Sequence, residues 1–391
     1  MSEWKTVKLK DLLSYKGYIR GPFGSALRRG EMQQSGIPVY EQEHAINEIR
    51  HFRYFIDEKK YNELKRFTVV TDDIIISCSG TVGRISVIKK NDPIGIISQA
   101  LLILRSNPDI VDVNYLKYFL RSKVGQNAIL ERSNGSVQVN ICKREIIEEI
   151  PVPLPSLDTQ KNIVQILSSL DDKIELNAQI NHNLEEQAKA IYANYFTYSV
   201  NDSLPDNWRK GTLGEIIDLH DSKRIPLSGN ERAKMEKIYP YYGAASLMDY
   251  VNDYLFDGVF LLLGEDGTVV TDNGLPVLQY VWGKFWVNNH AHILTGKAGF
   301  SVESLLLLLK QTPVKSIVTG AVQPKISQAN LKSIQIVIPP EKLLQEFNSV
   351  ITPLFALIRQ NSEESKRLAQ LRDALLPKLM SGEIDVSEIQ V

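Results

Sequence analysis

Asn134-Gly135-Ser136-Val137-Gln138-Val139-Asn140-Ile141 recurs about 185 residues later as Thr319-Gly320-Ala321-Val322-Gln323-Pro324-Lys325-Ile326. A stretch copied at that distance marks an internal repeat, and the repeat decides how the rest is read. Each copy runs on through an Ile/Pro-rich strand, Ile150-Pro151-Val152-Pro153-Leu154-Pro155 or Ile336-Val337-Ile338-Pro339-Pro340, into a long helical pattern. Upstream, Ile74-Ile75-Ile76-Ser77-Cys78-Ser79-Gly80-Thr81-Val82 resembles Leu261-Leu262-Leu263-Gly264-Glu265-Asp266-Gly267-Thr268-Val269, and each ends a strand in a Gly-Thr-Val turn. The openings match as well, Trp4 to Leu9 against Trp208 to Leu213, as do Ile37-Pro38-Val39-Tyr40 and Tyr239-Pro240-Tyr241-Tyr242. The unit is a β-rich globular part followed by a helix, used twice.

Short β-branched and aromatic runs with turn signals fill the globular parts: Thr68 to Ser77, Gly83 to Ile88, Val259 to Leu263 and Val277 to Trp286. A short apolar helix is expected in each, Val113 to Arg121 and Val302 to Gln311. The fold class is therefore α+β, with a twisted, partly barrel-like sheet in each globular part. The expected division is 1–155 and 199–340 for the globular domains, 156–198 for a helical spacer, and 341–391 for a second spacer and tail.

In the first helical stretch Ile163, Leu167, Leu170, Ile174, Asn177, Asn181, Leu184, Ala188 and Ile191 alternate steps of four and three, the seam of a coiled coil. Phe347, Ile351, Leu354, Ile358, Asn361, Ser365, Leu368, Arg372 and Leu375 repeat it at an offset of 184. Asn177 and Asn361 fall at the same place, and a polar residue in an apolar seam fixes register at some cost in stability. Pairing of the two helices follows, antiparallel if the halves are related by a pseudo-two-fold. The alternative is that each seam packs only on its own globular domain. About 40 residues at 1.5 Å rise would span on the order of 60 Å, although Pro353 predicts a kink or a fresh helix start.

Length and composition exclude several classes. A chain of 391 residues buries real cores without disulfides or metals, and its 43% hydrophobic content argues against disorder. Cys78 and Cys142 lie far apart with no CxxC spacing, so neither a zinc site nor a disulfide framework is suggested, and a reducing cytoplasm is the expected location. The first dozen residues have no apolar leader, and no apolar run approaches a bilayer span. A net charge of −1 leaves only a local basic face, from Arg20, Arg28 and Arg29 or from Lys223 and Arg224, to meet nucleic acid.

Gly21-Pro22-Phe23-Gly24-Ser25, Gly36-Ile37-Pro38-Val39, Ser79-Gly80-Thr81-Val82-Gly83, the Pro-Val-Pro-Leu-Pro-Ser-Leu-Asp-Thr-Gln run from Pro151 to Gln160, and Leu184-Glu185-Glu186-Gln187-Ala188-Lys189-Ala190-Ile191 carry a resemblance. In their order and duplication, over nearly the whole chain, they resemble the DNA specificity subunits of Type I restriction-modification systems. That resemblance implies two target recognition domains, each reading one half of a bipartite double-stranded DNA site, and helices that separate them and dock two methyltransferase subunits. Motor-nuclease subunits can add to such a complex. It further implies adenine methylation with S-adenosylmethionine, and ATP and Mg for the motor, all on partner subunits and none here. The residues agree: there is no GxxxxGK[ST] loop, no Asn-Pro-Pro-aromatic tetrapeptide and no nuclease carboxylate cluster.

Loops bordering a sheet would supply donors to bases and phosphates, so the candidate DNA contacts in the first half are Arg20, Ser25, Arg28, Tyr40, Gln42, Ser79, Gly80, Thr81, Gly83, Arg84 and Gln138. Their counterparts are Lys223, Arg224, Tyr242, Thr268, Asn288, Asn289, Gln323 and Lys325. Ordinary surface or turn duty competes for each. The second copy has Gly264-Glu265-Asp266 where the first has Ser77-Cys78-Ser79, so the two half-sites should differ; these carboxylates would accept from cytosine N4, stay off DNA or stabilise a loop. His290 and His292 flank Ala291 but have no evident third ligand, which favours a polar strand face over a metal. Helix residues outside the seam, Ile166, Ile180, Tyr192, Tyr195, Leu357, Leu371, Leu376 and Leu379, are candidates for partner docking or for the helices' own core. Two further functions compete: a free-standing DNA-binding protein, disfavoured by weak net charge, and a duplicated enzyme, disfavoured because no acid, base or nucleophile repeats in register.

Overall fold

The structure is a computed structural model that describes residues 4–130, 141, 143–320 and 322–386, with Ser25 described in its backbone only. It divides into two units, Met1–Ile174 with Lys366–Val391 and Glu175–Ser365, so each long helix contributes to both.

In the first unit, Leu13–Arg20, Leu101–Ser106, Asp73–Ser77 and Ile85–Val87 form an antiparallel four-stranded sheet in that spatial order. The central strands are apolar on both faces, because both faces are covered. Ile74, Ile76, Leu102 and Leu104 point into a core shared with Tyr115, Leu116 and Phe119 of the helix Val113–Arg121. Their neighbours Ile75, Leu101 and Ile103 point the other way, onto Val39, Tyr40 and Ile56. Each fully buried Ile or Leu contributes roughly 1.5–3 kcal/mol, so this alternation orients the strands firmly. A three-stranded sheet (Phe55–Ile56, Ile37–Tyr40, Ile96–Ile97) lies on that second core. Separately, Lys5–Lys8 pairs with Pro151–Leu154, joining the start of the unit to the strand that leads into the helix.

The second unit repeats this plan with one change. Ile217–Leu219, Ala291–Gly296, Phe256–Gly264, Leu278–Val287, Tyr239–Tyr242 and Leu247–Val251 make a single six-stranded sheet. The ten-residue strand Leu278–Val287 is long enough to pair with Phe256–Gly264 along its length and also, in parallel, with Tyr241 and Tyr242, so the two sheets of the first unit are here one. Leu261, Leu263 and Leu294 face the helix Val302–Leu309, while Leu262 and Ile293 face Phe256 and Phe285. Arg209–Thr212 pairs with Gln335–Ile338, as in the first unit.

Leu157–Tyr195 and Glu341–Met380 are continuous helices of 39 and 40 residues. Pro353 does not start a fresh helix: the second helix runs through it without a break. A proline removes one backbone donor, and here Ile351 and Phe355 on either side are fully buried and hold the turn together. In the first unit Ile163 and Leu167 are buried, Leu375 packs against the same core, and Arg372 Nη1 donates to Asp171 Oδ1 at 2.7 Å. Leu170, Ile174 and Leu368, also of the first unit, are half-buried, and in the second unit Leu184, Ala188, Phe347, Ile351 and Ile358 are buried, with Ile191 and Leu354 against them. The seam asparagines meet there. Asn177 Nδ2 donates to Glu364 Oε2 at 2.8 Å, Asn361 Nδ2 to Asn181 Oδ1 at 2.9 Å, and Asn181 Nδ2 to Ser362 Oγ at 3.1 Å. Partners fall in number on one helix as they rise on the other, so the pairing is antiparallel. Of the candidate docking residues, Leu357 and Leu371 are exposed, whereas Leu379 is buried and Tyr192 and Tyr195 pack on Phe347.

Candidate nucleic-acid interface

Equivalent positions in the two units follow from register. Ile74 opposes Leu104 in the first and Leu261 opposes Leu294 in the second; on the far side of those strands lie Tyr18 and Leu219. Two residues further along, Arg20 lies opposite Leu102 in the first unit, and the same step in the second reaches Asp221 beside His292. The next strand supplies Cys78 in one unit and Glu265 in the other.

Around Arg20 the first unit has an open cleft of about 820 Å³, walled by Gln42, Ser79, Gln99 and Glu145 among others. The Arg20 guanidinium lies over the ring of Phe23, 5.6 Å from its centroid, and Phe23 is 64% exposed. Arg20 Nη1 is buried with no hydrogen-bond partner among the described residues. Burial pushes the neighbouring Cys78 thiol up to about 12, with Arg20 opposing the shift, so the sulfur stays a neutral thiol and gives Arg20 no counter-charge. The Ser79 backbone N–H donates to Gln42 Oε1 at 3.3 Å, which ties the turn to the wall. Gly80 (φ +65°) is exposed, and both its turn and that of Gly267 (φ +79°) need the left-handed backbone that glycine tolerates.

In the second unit the same location is closed by charge pairing. His292, fully buried, faces Asp221 Oδ2 with Nδ1 at 2.6 Å and the Ile326 carbonyl with Nε2 at 2.8 Å. Arg224 Nη1 donates to Glu265 Oε2 at 2.6 Å, Lys325 Nζ sits 3.2 Å from Glu265 Oε1, and Gln328 Nε2 donates to Asp221 Oδ2 at 2.6 Å. Burial works against ionisation of Asp221, yet the hydrogen bonds from His292 and the Ile293 N–H and the charges of His292 and Arg224 hold its carboxyl below the usual range.

These contacts revise several sequence expectations. Tyr40 is fully buried and its hydroxyl donates to the Pro93 carbonyl at 2.7 Å, because Ile37–Tyr40 is an inner strand; it is withdrawn as a DNA contact. Asn288 is buried too, and its Oδ1 accepts from the His290 N–H. Tyr242 packs edge-on against Phe285. Gly83 is buried and its carbonyl accepts from Gln126 Nε2, so a turn role accounts for it. Arg224 spends its charge on Glu265 and Asp221, leaving Lys223 as the exposed cation of that pair. Glu265 and Asp266 act inside the unit, Asp266 pairing with His290. His292 does have carboxylates nearby, Asp221 and Glu265, close enough to form a three-ligand set. His290 precedes the strand Ala291–Gly296 and turns to Asp266 instead, so the two histidines do not act together. Both His292 nitrogens and both carboxylates are already engaged, which favours an ion-pair lock over a metal centre. Arg28, Thr81, Arg84, Thr268, Asn289, Gln323 and Lys325 are exposed, and Gln42 and Ser79 half-exposed. Gln138 lies outside the described residues.

Sequence reasoning passed over Phe23, Gln99, Glu145 and Asp221. Arg20 and Phe23 flank a Gly-Pro pair, a turn signal that could have placed Phe23, whereas Gln99, before the strand Leu101–Ser106, and Glu145, in the short helix Arg144–Ile147, reach the cleft only through tertiary folding.

Comparison with known proteins agrees with this architecture. The chain is 26% identical to the MjaIX Type I restriction enzyme specificity subunit of Methanocaldococcus jannaschii, over 99% of this chain and 95% of that one. It is 25% identical to the EcoprrI specificity subunit of Escherichia coli, over 68% and 67%. The S subunit of a Type-I restriction-modification system from M. genitalium shares the fold, with a TM-score of 0.59 at 17% identity over 96% of both chains. No helix among the described residues is long and apolar enough to cross a membrane. The family model for the Type I restriction modification DNA specificity domain matches residues 1–186 and again 205–371, and the chain therefore belongs to that family, with two copies of its domain.

Proposed function

We propose that this chain is the DNA-reading subunit of a Type I restriction-modification complex, each unit reading one half of a bipartite double-stranded target. The observation that carries the reading is the pair of topologically equivalent positions with opposed chemistry, Arg20 in an open cleft and Asp221 in an ion-pair lock, within one duplicated fold. Duplication supplies two readers, and their divergence supplies two different half-sites.

The antiparallel helices set the spacer, and the exposed Leu357 and Leu371 belong to the surface that docks methyltransferase subunits. Adenine methylation with S-adenosylmethionine, and any ATP- and Mg-dependent cleavage, belong to partners; this chain is non-catalytic. Exposed Arg28, Arg84 and Lys223 hold phosphates, while Ser79, Thr81, Thr268, Asn289 and Gln323 border the bases. The test is affinity capture of the tagged chain from its host, with methylome sequencing of a strain lacking it. Co-purification of a methyltransferase and loss of adenine methylation at one split motif are expected. An unchanged methylome with no methyltransferase captured would overturn the proposal.

A further inference from the structure

We infer that Arg20 reads a guanine in the half-site recognised by the first unit, its guanidinium donating to O6 and N7 in the major groove. This rests on the DNA-reading function proposed above and names the base.

A guanidinium carries five N–H donors, and buried donors without acceptors are costly and rare. Arg20 has a buried, unpartnered Nη1, no carboxylate partner among the described residues, and only a neutral thiol and an aromatic face beside it. The position is not intrinsically hostile to pairing. In the second unit the equivalent location holds Asp221 and satisfies it with His292, Gln328 and a backbone N–H. The first unit therefore holds open, in a cleft of about 820 Å³, a charge that its duplicate neutralises internally.

The walls decide which acceptor completes it. Lys143 and Arg144, both exposed, also line the cleft and suit phosphates, Arg144 already pairing with Glu148; beside them Glu145 would repel a phosphate, and Gln42, Gln99 and Ser79 complete a wall of mixed polarity rather than a purely cationic cradle. Arginine, glutamine, glutamate and serine are the side chains that discriminate base edges, and arginine's forked partner is the adjacent O6 and N7 pair that guanine alone presents. Phe23, exposed beside Arg20, offers its ring face to the guanidinium, a cation–π contact that leaves the N–H donors of the fork free to meet a base.

The test uses the full chain with the methyltransferase subunits of its own system, expressed in a bacterial host without adenine methylation, and single-molecule sequencing of the methylated motif. The expected wild-type motif is split and contains a G·C pair in one half. Arg20→Ala should reduce the preference for that pair at least ten-fold and leave the other half-site unchanged, while Arg20→Lys keeps part of it. In parallel, the wild-type complex is bound to duplexes carrying 7-deazaguanine at each guanine of the half-site in turn. One substitution should weaken binding about ten-fold, a result that stands even where Arg20→Ala fails to assemble. Unchanged base preference in Arg20→Ala, or no effect of 7-deazaguanine at any position, overturns the inference while leaving the DNA-reading function intact. A wild-type complex that leaves no split motif removes both.

Discussion

The two units build the same strand pairing and then fill one position with opposite charges. Where the first has Arg20 beside a thiol, the second has Asp221 beside an imidazole, with Glu265 in place of Cys78. The lesson is that a duplicated fold conserves what its core demands and leaves the sheet's edge free to diverge. Ile74–Ile76 and Leu261–Leu263 are alike because both faces of those strands are buried. Just past them the positions are still largely buried, but a thiol fills one and an ion-paired carboxylate with its imidazole fills the other, and there chemistry separates the copies.

Three experiments test that contrast. The largest effect is expected from Asp221→Ala, which leaves His292 and Arg224 short of a partner in a buried network and should destabilise the second unit by on the order of 3–5 kcal/mol. Hydrogen exchange measured under mild denaturant should report the loss in Glu175–Ser365 and not in the first unit. A cost below about 1 kcal/mol would mean that the network is not what closes this location.

Acid should separate the units next. Asp221, held below the usual carboxylate range, contributes stability that is present above the ordinary value of about 3.9 and is lost as pH falls through its depressed value. Asp73, buried between strands of the first unit, is shifted the other way: burial raises it, against the hydrogen bonds from Arg105 and the Val70 N–H. Its contribution is present below the ordinary carboxylate value and is lost as pH rises through the raised one. On acidification below about pH 4, exchange protection should therefore fail first in the second unit. Earlier failure of the first unit would contradict the assignment of these two carboxylates as opposed.

The smallest effect belongs to Arg20→Met. Because Arg20 makes no ion pair among the described residues and leaves Nη1 unpartnered, its replacement by an apolar chain of similar length should change stability by no more than about 0.5 kcal/mol in thermal or denaturant unfolding. A loss as large as that of Asp221→Ala would show that Arg20 is structural and would erase the contrast.

Much of the fold was legible. The heptad seam placed Asn177 and Asn361 in register, and their amides lie in one cross-helix knot with Asn181. Val113–Arg121 is the helix that the apolar run predicts. Pro353 does not begin a new helix because its local penalty, about 3 kcal/mol or more, is offset by the burial of Ile351, Phe355 and their neighbours. Tyr40 and Asn288 misled: aromatic and amide side chains suit a DNA surface and a core equally well, and only strand order reveals that theirs face inward.

By itself, the sequence determined the duplication, the two helices and their matched seam, because periodic burial is written in local spacing. Only the folded chain shows that Arg20 has no ion-pair partner among the described residues and that Asp221 has several. Hydrogen-bond partners more than 70 residues away in the chain, His292 and Gln328 for Asp221, come together only when the sheet closes, and no local pattern records them.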